Sequence, residues 1–375
     1  MSTIGKLQIA LIATHSFPIP MKNLHTGDIV ILDLANALSS LGHTVHLYAP
    51  EGTKCPPNGK VFPMRASYGK YPPSSQDCEQ ECYNNYASNL LSEDIVHDFS
   101  VTKIIVQNLR YAGKSNMIST LMGGAWTHPY DPYNLITWSQ SHRDRVLRGA
   151  TDYEGTSTPD LAGHTGRPVK ESHVVNGGID TNFYYPTYDK KNYYLWMNRW
   201  HPAKGYKMAI EVAKKTGIEL VMAGEHPDNE MFDYQKQCAL EAVKLAEGYD
   251  NIKFSWLPQD PDHHTAKRKL YQQAKALLYT IDFCEPFGLS QTEALACGTP
   301  VIGTNFGSVP EVITNNLTGL VCNNVLDDIA VACLNVEKIK PEICREQSVL
   351  RFDKSVMAKS YLKEYENILN NKGWV

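Results

Sequence analysis

The sequence predicts an α/β protein of two domains, each built on a parallel sheet, facing each other across a cleft. Three observations predict it. At 375 residues and 42.1 kDa the chain exceeds the usual span of one hydrophobic core. Its first apolar segments read as strand, helix and strand at βαβ spacing, which implies parallel pairing. A second strand series of comparable length restarts after Pro186.

The elements follow in order. "LQIALIA" (Leu7 to Ala13) is a short apolar run stopped by "THSFPIP", which reads as a buried strand feeding a loop. "GDIVILDLANALSSLG" then places Ile29, Leu32, Leu34, Ala37, Leu38 and Leu41 mostly along one helical face, with Gly42 as the stop. "TVHLYAP" is the next strand. The segment Cys55 to Asn89 carries five prolines and little apolar periodicity, so a long loop or insertion over the sheet edge is expected there. "DIVHDF" and "MISTLMGG" read as strands ending in loops, and "NLITWSQSHRDRVLRG" as a strand passing into a helix. "ESHVVNGGIDTNFYYP" is a strand followed by turn signals.

After it, "YYLWMNRWHPAKGYKMAIEVAKKTG" gives strand, loop and a helix from about Lys207. "IELVMAG", "NIKFSWLP", "KALLYTIDF", "TPVIGTNFG" and "TGLVCN" complete the second strand series, and "MAKSYLKEYENILNN" closes the chain as an amphipathic helix. We therefore expect domains at 1–180 and 181–355, followed by a helix of 356–375 that either caps the second domain or returns to the first. Ligands of open parallel sheets sit beyond the carboxyl ends of the strands. That rule selects the loops Thr14–Gly27, His97–Phe99, Met122–Trp126, Asn198–Lys204, Gly224–His226 and Cys284–Leu289.

Charge narrows the function. Acidic and basic residues are interspersed and the net charge is -4, which gives no general attraction for nucleic acid or anionic membrane. No uninterrupted apolar run is long enough to span a bilayer, and no signal peptide is apparent. A cytoplasmic protein is expected; peripheral membrane contact and oligomeric state stay open. The nine cysteines are odd in number and scattered, which argues against a complete disulfide framework. Cys55, Cys78 and Cys82 alone cluster, and read as buried or incidental thiols rather than a metal site.

"FCEPFGLSQTEALACGTPV" (Phe283 to Val301) raises the sharpest question, because two glutamates, Glu285 and Glu293, flank Pro-Phe-Gly ahead of an apolar run. Ser290-Gln-Thr-Glu293 fits a capping box, a structural device that needs no ligand. The alternative is an anion grip, with Gly288 sparing side-chain bulk and the amides of Phe287, Gly288 and Leu289 near a helix start.

"EPFGLSQTEALACGTPVIGTNFGSVPEVI" closely resembles the signature of the GT-B nucleotide-sugar glycosyltransferases, specifically the large retaining family 4. "HVVNGGIDTNFYYP", "NRWHPAKGY" and "NIKFSWLPQD" resemble the family's interdomain passage, basic phosphate loop and nucleobase strand. The resemblance implies two Rossmann-like domains, with the helix of 356–375 returning to the first, and retention of anomeric configuration. It also implies a nucleoside diphosphate sugar as donor, UDP-glucose or similar, a saccharide or other hydroxyl-bearing acceptor, and no required cofactor or metal.

Residue by residue, it implies that Glu285 holds the donor sugar and Glu293 the ribose, and that Arg199 and Lys204 hold the diphosphate. It implies that His97 faces the sugar across the cleft and that Gly27 lies near the donor phosphates; Gly224 either lines the donor site or makes an ordinary strand-to-helix turn. Asn176, Gly177, Gly178 and Asp180 form the interdomain turn. Read from the residues themselves, Tyr68, Tyr71 and Tyr83 either stack on an acceptor or merely decorate the loop. A same-fold phosphorylase or sugar-nucleotide epimerase, and a non-enzymatic carbohydrate-binding protein, are the alternatives.

Overall fold

A computed structural model describes residues 5–20, 27–67, 73–124, 126–127, 132–152, 166–228, 233–258 and 263–374. Two parallel sheets carry it. The first takes strands β1 (Gln8–Ile12), β2 (Thr44–Pro50), β3 (Gly59–Met64), β4 (Ile95–Asp98), β5 (Met117–Thr120), β6 (Leu135–Thr137) and β7 (His173–Val174), in the order β3-β2-β1-β4-β5-β6-β7. The second takes β8 (Tyr194–Met197), β9 (Leu220–Glu225), β10 (Ile252–Leu257), β11 (Ala276–Tyr279), β12 (Val301–Thr304) and β13 (Gly319–Cys322), in the order β10-β9-β8-β11-β12-β13. Each sheet grows outward on one side and then on the other. The direction reverses between β1 and β4 in the first and between β8 and β11 in the second. Such reversals leave a crevice at the strand ends.

The helices follow the strands they connect. The first domain has α1 (Gly27–Ser40), α2 (Ser75–Ser92), α3 (Ile104–Tyr111) and α4 (Gln140–Arg148). The second has α5 (Tyr206–Thr216), α6 (Asp233–Ala246), α7 (His263–Gln273), α8 (Leu289–Ala296), α9 (Val309–Val312), α10 (Leu326–Asn335) and α11 (Pro341–Phe352). Strands β4, β5, β8, β11 and β12 are buried on both faces, as expected for parallel strands sandwiched by helices. No helix among the described residues is long and apolar enough to cross a membrane.

The expected long loop at Cys55 to Asn89 is corrected. The segment holds β3, which pairs in parallel with β2 (Leu47 opposite Val61), and the 18-residue helix α2. Ser74 caps α2, its hydroxyl accepting from the Asp77 amide at 3.1 Å. Its buried face consists of Cys78, Glu79, Cys82 and Leu90, a stripe too poor in aliphatic residues to register as helical periodicity. Of the three clustered cysteines, Cys78 and Cys82 are buried thiols and Cys55 is exposed.

The last helix, α12 (Lys354–Leu369), packs on α1 of the first domain. The Tyr361 and Tyr365 hydroxyls reach Thr120 at 3.1 Å and His97 at 2.7 Å. Trp374 stacks on His173 with ring centroids 3.7 Å apart. At the crossing point Asp180 accepts from the Asn182 and Phe183 amides and from Lys354.

Asp33 of α1 is 9% exposed beside Lys354. Burial raises its carboxyl from 3.8 to about 7; Lys354 opposes the shift, and Asp180 and Asp353 add to it. The folded protein thus holds this proton more tightly than the unfolded chain. The corresponding stability is present below pH 3.8 and is lost as pH rises through about 7. Asp33→Asn is therefore expected to raise the melting temperature more at pH 8 than at pH 4. Equal shifts at both pH values would contradict the buried, proton-holding carboxyl.

The two domains are joined near the cleft as well. The Glu311 carboxylate of α9 accepts from the Gln140 and Ser141 amides, the first turn of α4, at 2.7 and 2.8 Å. A carboxylate there satisfies two otherwise orphaned N–H groups and complements the helix dipole.

Candidate active site

A cavity of about 410 Å³ opens beyond the carboxyl ends of β8 and β11, where the second sheet reverses direction. The loops after these two strands form one wall. Met122, Gly123, Gly124, Trp138 and Asp152 of the first domain form the other.

The β8 loop supplies the cations. Asn198 and Arg199 follow the strand directly, and Pro202–Lys204 form a single 3-10 turn. The turn ends at Gly205, whose φ of +73° suits glycine. A Cβ at Gly205 would stand 1.5 Å from the Thr280 carbonyl oxygen, so only glycine lets this loop lie against the end of β11. Thr280 Oγ1 donates to the Gly205 carbonyl at 2.8 Å and the Asp282 amide to the Ala203 carbonyl at 2.7 Å. The result fixes Lys204 at the cavity wall.

The β11 loop supplies the carboxylate. Glu285 Oε2 accepts from Lys204 Nζ at 2.7 Å and from the Tyr279 hydroxyl at 2.6 Å. Its Oε1 carries no hydrogen bond among the described residues. Lys204 also lies 4.3 Å from the centroid of the Phe283 ring. Burial lowers the pKa of its ammonium, with Arg199 also lowering it and Glu285 opposing. The peptide that carries Glu285 is clamped from below. Ser308 donates its amide to the Glu285 carbonyl at 2.9 Å and its hydroxyl to that of Phe287 at 2.7 Å.

Gly288, at φ +82°, is the N-cap of α8. Gly288, Leu289 and Ser290 all line the cavity, so the amides of the first turn, which have no intrahelical acceptor, lie at its wall. This end of the site suits negative charge.

Glu293 answers the capping question in neither expected form. Because α8 starts at Leu289 behind Gly288, Ser290 is already inside the helix, and no side chain caps it. The capping box is therefore absent. Nor does Glu293 stand at the cavity surface. It is 1% exposed, with its carboxylate 2.6 Å from Lys267 Nζ and 3.1 Å from the Tyr271 hydroxyl. Lys267, itself 1% exposed, is the member of this pair that lines the cavity. Glu293, the residue expected at the ribose, thus sits in a buried ion pair behind the cavity wall.

Two further candidates lie off the cavity. His97 does not face the cleft: it is fully buried, its Nδ1 against the Tyr365 hydroxyl and its Nε2 against Thr120 Oγ1, both at 2.7 Å. Burial lowers its pKa well below the ordinary value, and Lys103 adds to the shift, so the ring is a neutral structural link. Gly224 is not among the described lining residues. It exists to admit Trp200, whose indole nitrogen would be 2.6 Å from a Cβ there and donates to the Glu225 carbonyl. Gly27 is the first residue of α1, and the segment 21–26 before it lies outside the described residues. Tyr68 and Tyr71 are likewise outside them, and Tyr83 packs on the core beneath α2.

The structure brings Arg199, Lys204, Glu285, Phe287, Gly288 and Leu289 together around the cavity. It adds Asp152, Lys267 and Tyr279, which sequence reasoning missed. Lys267 sits in "HHTAKRKLYQQ", a polar helix in which no single lysine stands out. Its partner lies 26 residues away.

A family model described as glycosyl transferases group 1 matches residues 181–342. A probable sucrose-phosphate synthase of Thermosipho melanesiensis is 28% identical over 211 residues, which cover 53% of this chain and 47% of that one. The chain thus spans about half the length of that curated relative. Among solved structures, a sucrose-phosphate synthase of Thermosynechococcus elongatus matches 98% of this chain and 100% of its own, with TM-score 0.74 and 15% identity. HepE of Anabaena, solved with UDP and glucose, matches 96% and 100%, with TM-score 0.65 and 12% identity. At these identities the structural likeness is one of fold.

Proposed function

Because this chain has the GT-B fold and its residues 181–342 belong to the glycosyl transferases group 1 family, we propose that it transfers a sugar from a nucleoside diphosphate to an acceptor hydroxyl. Anomeric configuration is kept, and a UDP-sugar is the favoured donor. The observation that carries this reading is the Lys204–Glu285–Tyr279 constellation beside the first turn of α8. The Glu285 carboxylate there stands next to a cationic, amide-rich wall, which supports a role in holding the donor sugar.

In this reading Glu285 accepts hydrogen bonds from hydroxyls of the donor sugar and so fixes the anomeric carbon. Arg199, Lys204 and the α8 amides meet the diphosphate. As the bond from the anomeric carbon to the phosphate oxygen breaks, negative charge grows on the leaving group. Preorganised cations and amides stabilise that charge where it develops. The acceptor oxygen attacks from the face the leaving group vacates, and its proton passes to the departing phosphate. The UDP and glucose held by HepE support the class of donor.

The test is calorimetric titration of the full chain with UDP-glucose, GDP-mannose and ADP-glucose. Donor turnover with a panel of saccharide acceptors follows, with proton NMR of the product's anomeric configuration. A nucleotide sugar is expected to bind and the product to retain configuration. Binding of free oligosaccharide without any nucleotide, or an inverted product, would overturn the proposal.

A further inference from the structure

The first-domain wall of the cleft is poor in hydrogen-bonding side chains. Of its described lining residues, Met122, Gly123, Gly124 and Trp138 offer no carboxylate or hydroxyl, and Asp152 is the one ionisable side chain. A sugar enclosed between the two walls would bury hydroxyls on this side, and a buried hydroxyl without a partner is costly.

Asp152 is held as a ligand is held. Arg145, 4% exposed, donates Nη2 to Asp152 Oδ1 at 3.1 Å and to the Cys284 carbonyl at 2.8 Å, and Nη1 to Ser141 Oγ at 3.0 Å. The Cys284 amide in turn donates to the Asp152 carbonyl at 2.6 Å. Asp152 is thereby tied, across the domain boundary, to the residue immediately before Glu285. Gly124 approaches its second oxygen closely enough that a Cβ would lie 3.8 Å from Oδ2. The two carboxyl groups also feel one another: burial chiefly raises the pKa of Asp152, Glu285 raises it further, and Arg145 opposes.

We propose that Asp152 is the donor-specificity residue of the first domain, accepting a hydrogen bond from a hydroxyl of the transferred sugar whose other side rests on Glu285. The inference rests on the reading of the cleft as a nucleotide-sugar site. It assigns sugar recognition on this wall to the Asp152 carboxylate rather than to His97.

The experiment begins with the wild-type chain, titrated with each of UDP-glucose, GDP-mannose and ADP-glucose and with UDP, GDP and ADP alone. If no sugar raises affinity over its nucleotide, the nucleotide-sugar reading fails and this proposal with it. For the donor whose sugar does raise affinity, Asp152→Asn and Asp152→Ser are compared with wild type. Affinity for the nucleotide alone should stay within about twofold, while kcat/KM for the sugar donor should fall about 10–100-fold, the usual effect of losing a hydrogen bond to a charged group. Against donors deoxygenated at each sugar position in turn, one deoxy donor should be turned over equally well by wild type and variant, because its contact to Asp152 is already missing. Equal losses for every deoxy donor, or a matching loss for the bare nucleotide, would show a purely structural role and overturn the proposal. Unchanged turnover in both variants would overturn it as well.

Discussion

Replacing Lys267 by methionine is expected to destabilise the protein by about 3–5 kcal/mol, because it leaves Glu293 charged, buried and without its cation. Both members of the pair are essentially inaccessible, at 1% and 2% side-chain exposure, and their charged atoms are 2.6 Å apart. Tyr271 would remain as a hydrogen-bond donor to the carboxylate, but a phenol does not neutralise it. The neighbouring phenols show the field of this charge. Tyr184 and Tyr271 both have raised pKa values, through burial first and Glu293 second. Urea unfolding followed by the fluorescence of Trp196 and Trp200 reports the loss, since both indoles lie in the core of the same domain. The double replacement Lys267→Met with Glu293→Leu should recover much of it, because an apolar pair of similar volume often replaces a buried ion pair at little cost. A single-variant loss below about 1 kcal/mol, which is the range of exposed pairs, would show that the pair is not buried in solution.

Replacing Lys204 by alanine is expected to act on turnover instead. If its ammonium stabilises the charge that grows on the leaving diphosphate, kcat should fall about 10²–10³-fold. Stability should fall less than for Lys267, because Glu285 keeps Tyr279 as a partner and is 12% exposed. The signature is a parallel drop in kcat and kcat/KM, as for an interaction made mainly in the transition state. A rise in KM at constant kcat would instead mean that Lys204 binds substrate and transition state alike. Near-normal turnover would remove Lys204 from the proposed chemistry altogether.

Much of this architecture was legible because parallel strands buried on both faces write themselves as short apolar runs. Runs such as "LQIALIA" and "KALLYTIDF" fall on β1 and β11. The Glu285 loop was legible because glycine, proline and charge concentrate at the strand end where the second sheet reverses. Helix α2 was not, since its inner face is made of two cysteines, a glutamate and a leucine. Glu79 can be buried there only because Val101, Thr102 and Ser100 bond its carboxylate, an arrangement no local pattern records.

His97 and Glu293 lie off the cavity surface for a related reason. A motif position states which residue is present but not which way it faces. In each case the decisive partner lies elsewhere in the chain, Tyr365 for His97 and Lys267 for Glu293. Ser290 shows the limit of a short-range signature. Its spacing to Glu293 fits a capping box, yet the helix begins one residue before Ser290.

Helix α12 also sets an order of events during synthesis. At the centre of the first domain, His97 Nδ1 and the Thr120 hydroxyl find partners in Tyr365 and Tyr361, and Trp374 donates to Asn134 and Leu135 beside β6. Domains usually fold as units while the ribosome works from the amino terminus. This first domain has to wait: its interior stays short of partners until the second domain has been made and the chain has crossed back. Its nascent form should therefore be the chaperone-dependent stage of this protein's life, completed only once α12 and Trp374 have been made.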